Sequence, residues 1–336
     1  MLTFLNKAWV GSSMTLATSL FSPVEADLRL LSENLVQLVG TRHPILSLAA
    51  EHLFGAGGKR LRPAIVLLVS RATMLEENIT PRHRRLAEIT EMIHTASLVH
   101  DDVVDESEMR RGVPTVHSLF GNGVAVLAGD FLFAQSSWYL ANLDNLEVVK
   151  LLSEVIMNFA TGEIQQGVSR FDTAITLEDY LQKSYYKTAS LLANSSKAAG
   201  LLSDVSRETA EHLYGYGRHW GLAFQIVDDI LDFTGSTETL GKPAGSDLKS
   251  GNLTAPVLFA LAEKPYLEVL IERKFAQVGD LEQAIALIHD SQGIERSREL
   301  AAHHANLAVE HLADLPPSDS RQALINMADY VLSRMY

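Results

Sequence analysis

Apolar residues recur at intervals of three and four along nearly the whole chain, which is the spacing of one helical face. Residues Glu25 to Val39 place Leu28, Leu31, Leu35, Leu38 and Val39 on such a face. Arg84 to Val104 repeats the pattern with Leu86, Ile89, Ile93, Ala96, Leu98 and Val103. The same spacing predicts helices over 124–142, 147–166, 177–199, 206–233, 253–261, 266–275, 281–289, 293–312 and 320–335. Breaks fall where glycine and proline gather: Gly55-Ala-Gly-Gly58, Gly112-Val-Pro114, Gly241 to Gly245 and Pro316-Pro317. Alternating strand patterns are nearly absent, and there is no interior linker and no repeat of 20–50 residues. The expected fold is all-α, one large helical bundle over residues 23–336. Residues 1–22 read as a disordered leader: Ser12, Ser13, Thr15, Thr18 and Ser19 dilute any signal-peptide core after Lys7.

Composition narrows the function. With 47% hydrophobic residues among 336, the chain has ample material for a core. The absence of cysteine excludes disulfides, thiolate metal sites and a cysteine nucleophile. A net charge of −13 argues against nucleic acid as a partner, since phosphate-backbone affinity needs clustered Lys and Arg. An anionic substrate would have to be met by local basic clusters against that field. No run of 18 apolar residues exists, so no transmembrane helix is expected, and the cytoplasm is the expected location.

Chemistry concentrates in Asp101-Asp102-Val-Val-Asp105 and its echo Asp228-Asp229-Ile-Leu-Asp232. On a helix the first and last aspartate of each cluster share a face. Charge clusters are most often solvated surface, but both of these follow apolar runs, Ala96 to Val99 and Leu222 to Val227. Carboxylates at that density in an apolar setting need cations. An oxygen-only donor set selects a hard ion, and Mg²⁺ is the usual one when phosphates complete the shell. The basic counterpart is Gly57-Gly-Lys59-Arg60-Leu-Arg62-Pro63, which reads as a loop opening a helix, where an anion can be held. Arg110-Arg111-Gly112 supplies a second cationic pair five residues past Asp105. His94 lies two turns before Asp101 on its helix face, and Gln225 stands three and four residues before Asp228 and Asp229.

The segments GGKRLRP, LVHDDVVDESEMRRGVPT, YYKTASL, GLAFQIVDDILDF and LGKPAGSDLKSGNLTAP, in that order, resemble the trans-prenyl diphosphate synthases from about Ser22 to the C-terminus. The likeness is strongest to the solanesyl (nonaprenyl) diphosphate synthases of cyanobacteria and plastids. It implies an isoprenoid synthase bundle around a central cavity. It also implies a Mg²⁺-dependent prenyltransferase that condenses isopentenyl diphosphate onto an allylic diphosphate, a farnesyl or geranylgeranyl primer. By resemblance, metal would be held by Asp101, Asp102 and Asp105 and by Asp228, Asp229 and Asp232. Isopentenyl diphosphate would be held by Lys59, Arg62, His94 and Arg111, and the allylic partner by Arg110, Lys187, Thr188, Gln225 and Lys242. The residues expected to carry the chemistry are Asp101, Asp105, Asp228, Arg110 and Lys187. Asn252 departs from the pattern, since shorter-chain relatives carry a lysine there, and it is left out of the site. The family also implies a homodimer, and a lipid product, for a quinone side chain such as that of plastoquinone, implies peripheral membrane contact.

Product length should be set by the cavity floor below Asp101, counted back through Ser97, Ala96, Ile93 and Thr90. Short-chain members of the family place an aromatic just before the first motif, where Ala96 and Ser97 stand here, so an open tunnel for a long chain is expected. Ser97 lies about 40° from Asp101 around an ideal helix and Ala96 farther round. The alternatives are a shorter-chain geranylgeranyl diphosphate synthase, a class I terpene cyclase, or an inactive partner subunit. The all-aspartate second motif and the intact GGKRLRP loop count against the last two.

Overall fold

The computed structural model describes residues 20–39, 44–55, 58–74, 78–110, 112–235 and 244–335. Among them the chain is all-α apart from one two-stranded ribbon, as the periodicity predicts. Most of the leader lies outside the described residues. Leu20, within it, is already buried, and a single 3₁₀ turn, Ser22–Val24, leads into the first helix.

The chain divides into two compact units. The first takes the described residues up to Val149 together with Ser195–Ala210 and Leu312–Met327. It contains α1 (Glu25–Val39), α2 (Pro44–Gly55), α3 (Leu61–Thr73), α4 (Pro81–Val104), β1 (Met109–Arg110), β2 (Val113–Pro114), α5 (Val116–Phe120) and α6 (Asn122–Ala141). The strands pair antiparallel, Arg110 opposite Val113, which turns the chain just after the first aspartate cluster.

α4 is the central helix of this unit. It packs on α3 and α6, and every residue from Leu86 to Ala96 is buried. A helix buried on all sides must satisfy its polar groups internally. Thr90 Oγ1 donates to the Leu86 carbonyl at 2.8 Å, and Glu88 accepts from Asn34 Nδ2 at 2.9 Å and pairs with Arg85 at 3.0 Å. The helix begins at Pro81, three residues earlier than the periodicity predicts. Thr80 and His83 form a reciprocal cap there, and proline suits the first helical position. Helices α2 and α3 are absent from the periodic reading. In α3, Leu61, Pro63 to Ser70 and Ala72 are all buried, so no polar face marks its period.

The second unit takes Lys150–Asn194, Glu211–His311 and Ala328–Tyr336. It holds most of α7 (Leu146–Val168), α8 (Leu177–Ser184), a π-helical segment (Tyr185–Ala189), the start of α9 (Ser190–Leu202), most of α10 (Arg207–Thr234), α11 (Ser246–Lys249), α12 (Ala255–Leu261), α13 (Tyr266–Glu272), α14 (Asp280–His289), α15 (Gly293–Glu310) and the end of α16 (Asp319–Ser333). Phe233, Leu248, Leu253, Val257, Leu270 and Ile288 form one of its apolar cores, with α12 packed on α14 and α15. The single helix expected over 177–199 is instead broken at Tyr185–Ala189, where the Ser190 N–H reaches back five residues to the Tyr185 carbonyl. Such wide turns concentrate at functional sites.

Histidines join α10 to α15 and to His311 just beyond it. His219 Nδ1 lies 2.9 Å from His304 Nδ1, and the His219 ring stacks on those of His304 and His311 at 5.2 and 5.6 Å. Burial, then repulsion from neighbouring His and Arg groups including Arg218, pushes His219 and His304 down to about 4. The unfolded chain protonates these rings near 6.5 while the folded one resists. Their stabilising contribution is therefore complete above pH 6.5 and is lost as pH falls toward 4. The melting temperature should drop across that window, and His219→Phe should flatten the drop, as a pH series of thermal melts would read.

Candidate functional site

In the first unit Gly58 to Arg60 lead directly into α3, which takes in Arg62 and Pro63. Arg60 sits in the left-handed region, φ 50°, as the residue preceding the helix. Its guanidinium is tied to Glu91 on α4 and to the Phe54 carbonyl at 3.0 Å. Arg60 therefore holds the start of α3 against α4. Lys59 is exposed, and Arg62 Nη1 lies 3.0 Å from His94 Nε2, so two of the expected residues meet. Below them is a cavity whose lining includes Arg60, Glu91, His94, Leu98, Asp102, Arg110 and Val116.

The first aspartate cluster closes α4. Asp101 is half-buried, Asp102 is buried, and Asp105 is the exposed residue that ends the helix. Arg110 returns along β1 to reach Asp102 Oδ1 at 2.7 Å. The buried carboxylate of the trio thus has a resident cation, while Asp101 and Asp105 lie on the more exposed side. Arg111 lies outside the described residues. Of the chain-length residues, Ile93 and Ala96 are wholly buried, and Ser97 is half-buried with its hydroxyl donating to the His94 carbonyl at 2.9 Å.

In the second unit, the second aspartate cluster depends on a close approach of helix backbones. An added Cβ at Gly221 would lie 2.6 Å from Ala189 Cα, and one at Gly217 would lie 2.8 Å from Ala193 Cα. Gly217, Gly221, Gln225 and Asp229 repeat every four residues, so the side of α10 that presses on the π segment and α9 continues into the polar residues. Thr188 Oγ1 donates to Gln225 Oε1 at 2.6 Å, and Gln225 Nε2 donates to Asp229 Oδ1 at 2.9 Å. The other oxygen of Asp229 accepts from Tyr180 at 2.5 Å. Burial, reinforced by Asp247, pushes the Asp229 carboxyl up to about 7 despite these donors. Asp228 is partly exposed and is held by Arg334 at 2.6 Å, and buried Asp232 accepts from the Asp247 backbone at 3.2 Å. Lys187 pairs with Glu163 at 2.5 Å and donates to Gln166 at 3.0 Å, both on α7. Lys242 lies outside the described residues.

Sequence reasoning missed Tyr180, Arg334, Asp247 and the Arg60–Glu91 lock. Tyr180 lies before the π segment, so helical spacing from Lys187 does not point to it. Arg334, 106 residues from Asp228, carries no local signal.

The donor chemistry fits a divalent cation bound together with substrate. Six aspartates offer hard oxygen ligands, and the Asp229 carboxyl, raised chiefly by burial, would ionise more readily beside a cation. Among the described residues no three His, Asp or Glu groups are placed to hold a metal alone. Such an ion would complete its shell with substrate oxygens and water, as magnesium commonly does.

Residues 43–288 match the polyprenyl synthetase family. The chain belongs to that family. It is 70% identical over 323 residues to a prenyl transferase of Synechocystis, covering 96% of this chain and all of that one. It is 58% identical to solanesyl diphosphate synthase 1, chloroplastic, of Arabidopsis thaliana, over 94% of this chain and 79% of that one. A decaprenyl diphosphate synthase from Rhodobacter capsulatus superposes with a TM-score of 0.88 at 36% identity, over 95% and 99% of the two chains. A Caulobacter crescentus polyprenyl synthase complexed with calcium and isoprenyl diphosphate gives 0.88 at 35% identity, over 95% and 98%. The protein is thus a prenyltransferase of the long-chain trans-polyprenyl diphosphate synthase type, with the isoprenoid synthase helical fold.

In this synthase the glycine contacts set where Gln225 and Asp229 stand. Gly221→Val should drive α10 away from Ala189, cost about 1–3 kcal/mol as an overpacked interface, and lengthen the Thr188–Gln225 contact. Thermal melts should show the loss of stability, and the KM for the allylic diphosphate should rise.

Proposed function

We propose that this synthase condenses isopentenyl diphosphate repeatedly onto a farnesyl or geranylgeranyl primer with Mg²⁺ as its cation, and that solanesyl diphosphate is the main product. The observation that carries the reading is the presence of two carboxylate clusters, each set among named cations. Asp102 is set with Arg110, near Arg62 and His94, in one unit. Asp228 is set with Arg334 in the other, where Gln225 joins neighbouring Asp229 to Thr188, the residue after Lys187.

Asp101, Asp102 and Asp105, with Asp228, Asp229 and Asp232, would hold Mg²⁺. The bound ion would neutralise charge on the departing diphosphate. Arg110 and Lys187 stabilise charge that develops on the allylic leaving group, because guanidinium and ammonium donors interact more strongly with it as the bond breaks. Lys59, Arg62, His94 and Arg111 orient isopentenyl diphosphate so that its double bond faces the allylic carbon. Thr188 and Gln225 fix Asp229, whose carboxyl is readily ionised once a cation approaches it. The buried apolar side of α4 keeps water from the carbocation.

Solanesyl is favoured over a geranylgeranyl product by the relatives named above and by the small residues Ala96 and Ser97 below Asp101. A quinone side chain such as plastoquinone's is the proposed use. No described helix is long and apolar enough to cross a membrane. A cytoplasmic enzyme in peripheral membrane contact is the proposed setting, with residues 23–336 acting as one synthase domain. A homodimer is supported by apolar side chains exposed along α6, with Leu127 at 64% and Trp138 at 61%.

With Mg²⁺, labelled isopentenyl diphosphate and a farnesyl or geranylgeranyl primer, the purified protein should yield a nine-unit product, read by chromatography after dephosphorylation. Asp101→Ala or Asp228→Ala should lower turnover by several orders of magnitude while circular dichroism keeps its helical signal. Near-normal activity in either variant would remove the metal assignment.

Ala96→Phe or Ser97→Phe should shorten the main product while the first condensation survives, with Ser97→Phe the stronger if its position near the Asp101 stripe governs. The same chromatography reads the outcome. An unchanged long product from both active variants would place the growing chain along another wall.

A further inference from the structure

Lys183 has no role in the site described so far, yet its burial calls for one. It lies on α8, two residues before the π segment, and is 7% exposed. An ammonium carries three donors and is costly to bury without an opposite charge. Among the described residues its hydrogen bond goes to Asn252 Oδ1 at 2.5 Å, a neutral acceptor, and no carboxylate forms an ion pair with it. Burial pulls its pKa down, and the more distant charges of Asp229 and Asp247 hold it up.

Asn252 is itself fixed, its backbone N–H donating to the Asp247 carbonyl at 2.9 Å, and the Asp247 N–H donates to Asp232. The lysine is thereby presented beside the second aspartate cluster with donor capacity unspent. Its neighbour one turn on, Lys187, is already engaged by Glu163 and Gln166.

We propose that Lys183, presented by Asn252, is a further diphosphate-binding cation of the second aspartate site, a positive charge supplied from α8. This rests on the reading of the site as one that binds an allylic diphosphate. An ammonium at either position would serve the same ligand, because the two side chains meet within one hydrogen bond.

The test moves the charge. Wild type, Lys183→Met and the double variant Lys183→Met/Asn252→Lys are titrated with inorganic diphosphate in the presence of Mg²⁺ by calorimetry, and assayed for the KM of each substrate. Lys183→Met should weaken diphosphate binding about tenfold, the scale of one charge-assisted contact, and raise the allylic KM while that for isopentenyl diphosphate stays nearly constant. The double variant should recover both values to within about threefold, which loss of packing alone would not allow. Unchanged binding in Lys183→Met overturns the proposal. So does a double variant as weak as Lys183→Met, including the case where both are misfolded. If wild type makes polyprenyl product and the charge swap fails, only the lysine's role falls. If the swap restores diphosphate binding but wild type makes no such product, the functional reading falls and the lysine's role stands.

Discussion

Negative charge in a helical interior is tolerated only where something positive or proton-donating meets it, and both ends of this enzyme's chemistry are organised by that requirement. Asp102 is answered by Arg110 and Asp228 by Arg334, one cation across a short ribbon and one from the far end of the chain. Asp229 is answered by a tyrosine hydroxyl and a glutamine amide, which satisfy its oxygens without neutralising it. Burial, reinforced by Asp247, outweighs those two donors and pushes its carboxyl up to about 7. Within each unit the carboxylates are thus held by that unit's own cations and donors.

The parts of this arrangement legible in sequence are those carried by local period. The aspartate clusters, His94 and Gln225 announce themselves because residues three, four and seven apart share a helix face. The helices with one polar side were likewise visible. The length of α3 was hidden, although the basic loop marks its start: Pro63 to Ser70 are all buried, so that stretch carries no phase. The π segment was hidden for a different reason. Its residues, Tyr-Tyr-Lys-Thr-Ala, have ordinary helical propensities, and the widened turn comes from how α10 and α7 press on it rather than from its own preferences. Arg334 and Asn252 belong to the same class, since their partners lie far off in sequence and only folding introduces them.

The backbone approach at Gly217 and Gly221 has an effect out of proportion to the two residues involved. A contact close enough to exclude a single methyl group leaves little freedom to slide, so the polar positions one and two turns farther along α10 inherit the precision of the glycine contact. Gln225 and Asp229 are placed by main-chain geometry at a distance, and their side chains then need only short, rigid reaches. Sites supported on packed helices in this way hold their geometry better than sites on loops.

A π turn also acts as a gear with one extra tooth. Residues before it and residues after it no longer follow a single helical phase, so the two halves of what would otherwise be one rod can face different work. Upstream, Tyr180 and Lys183 address Asp229 and Asn252. Within the wide turn, Lys187 and Thr188 address α7 and Gln225. Losing one residue from Tyr185–Ala189 would restore a regular rod and rotate one half against the other by about 100°. The residues on both sides are therefore bound to travel through evolution as a block, because no single substitution can compensate for a change of phase.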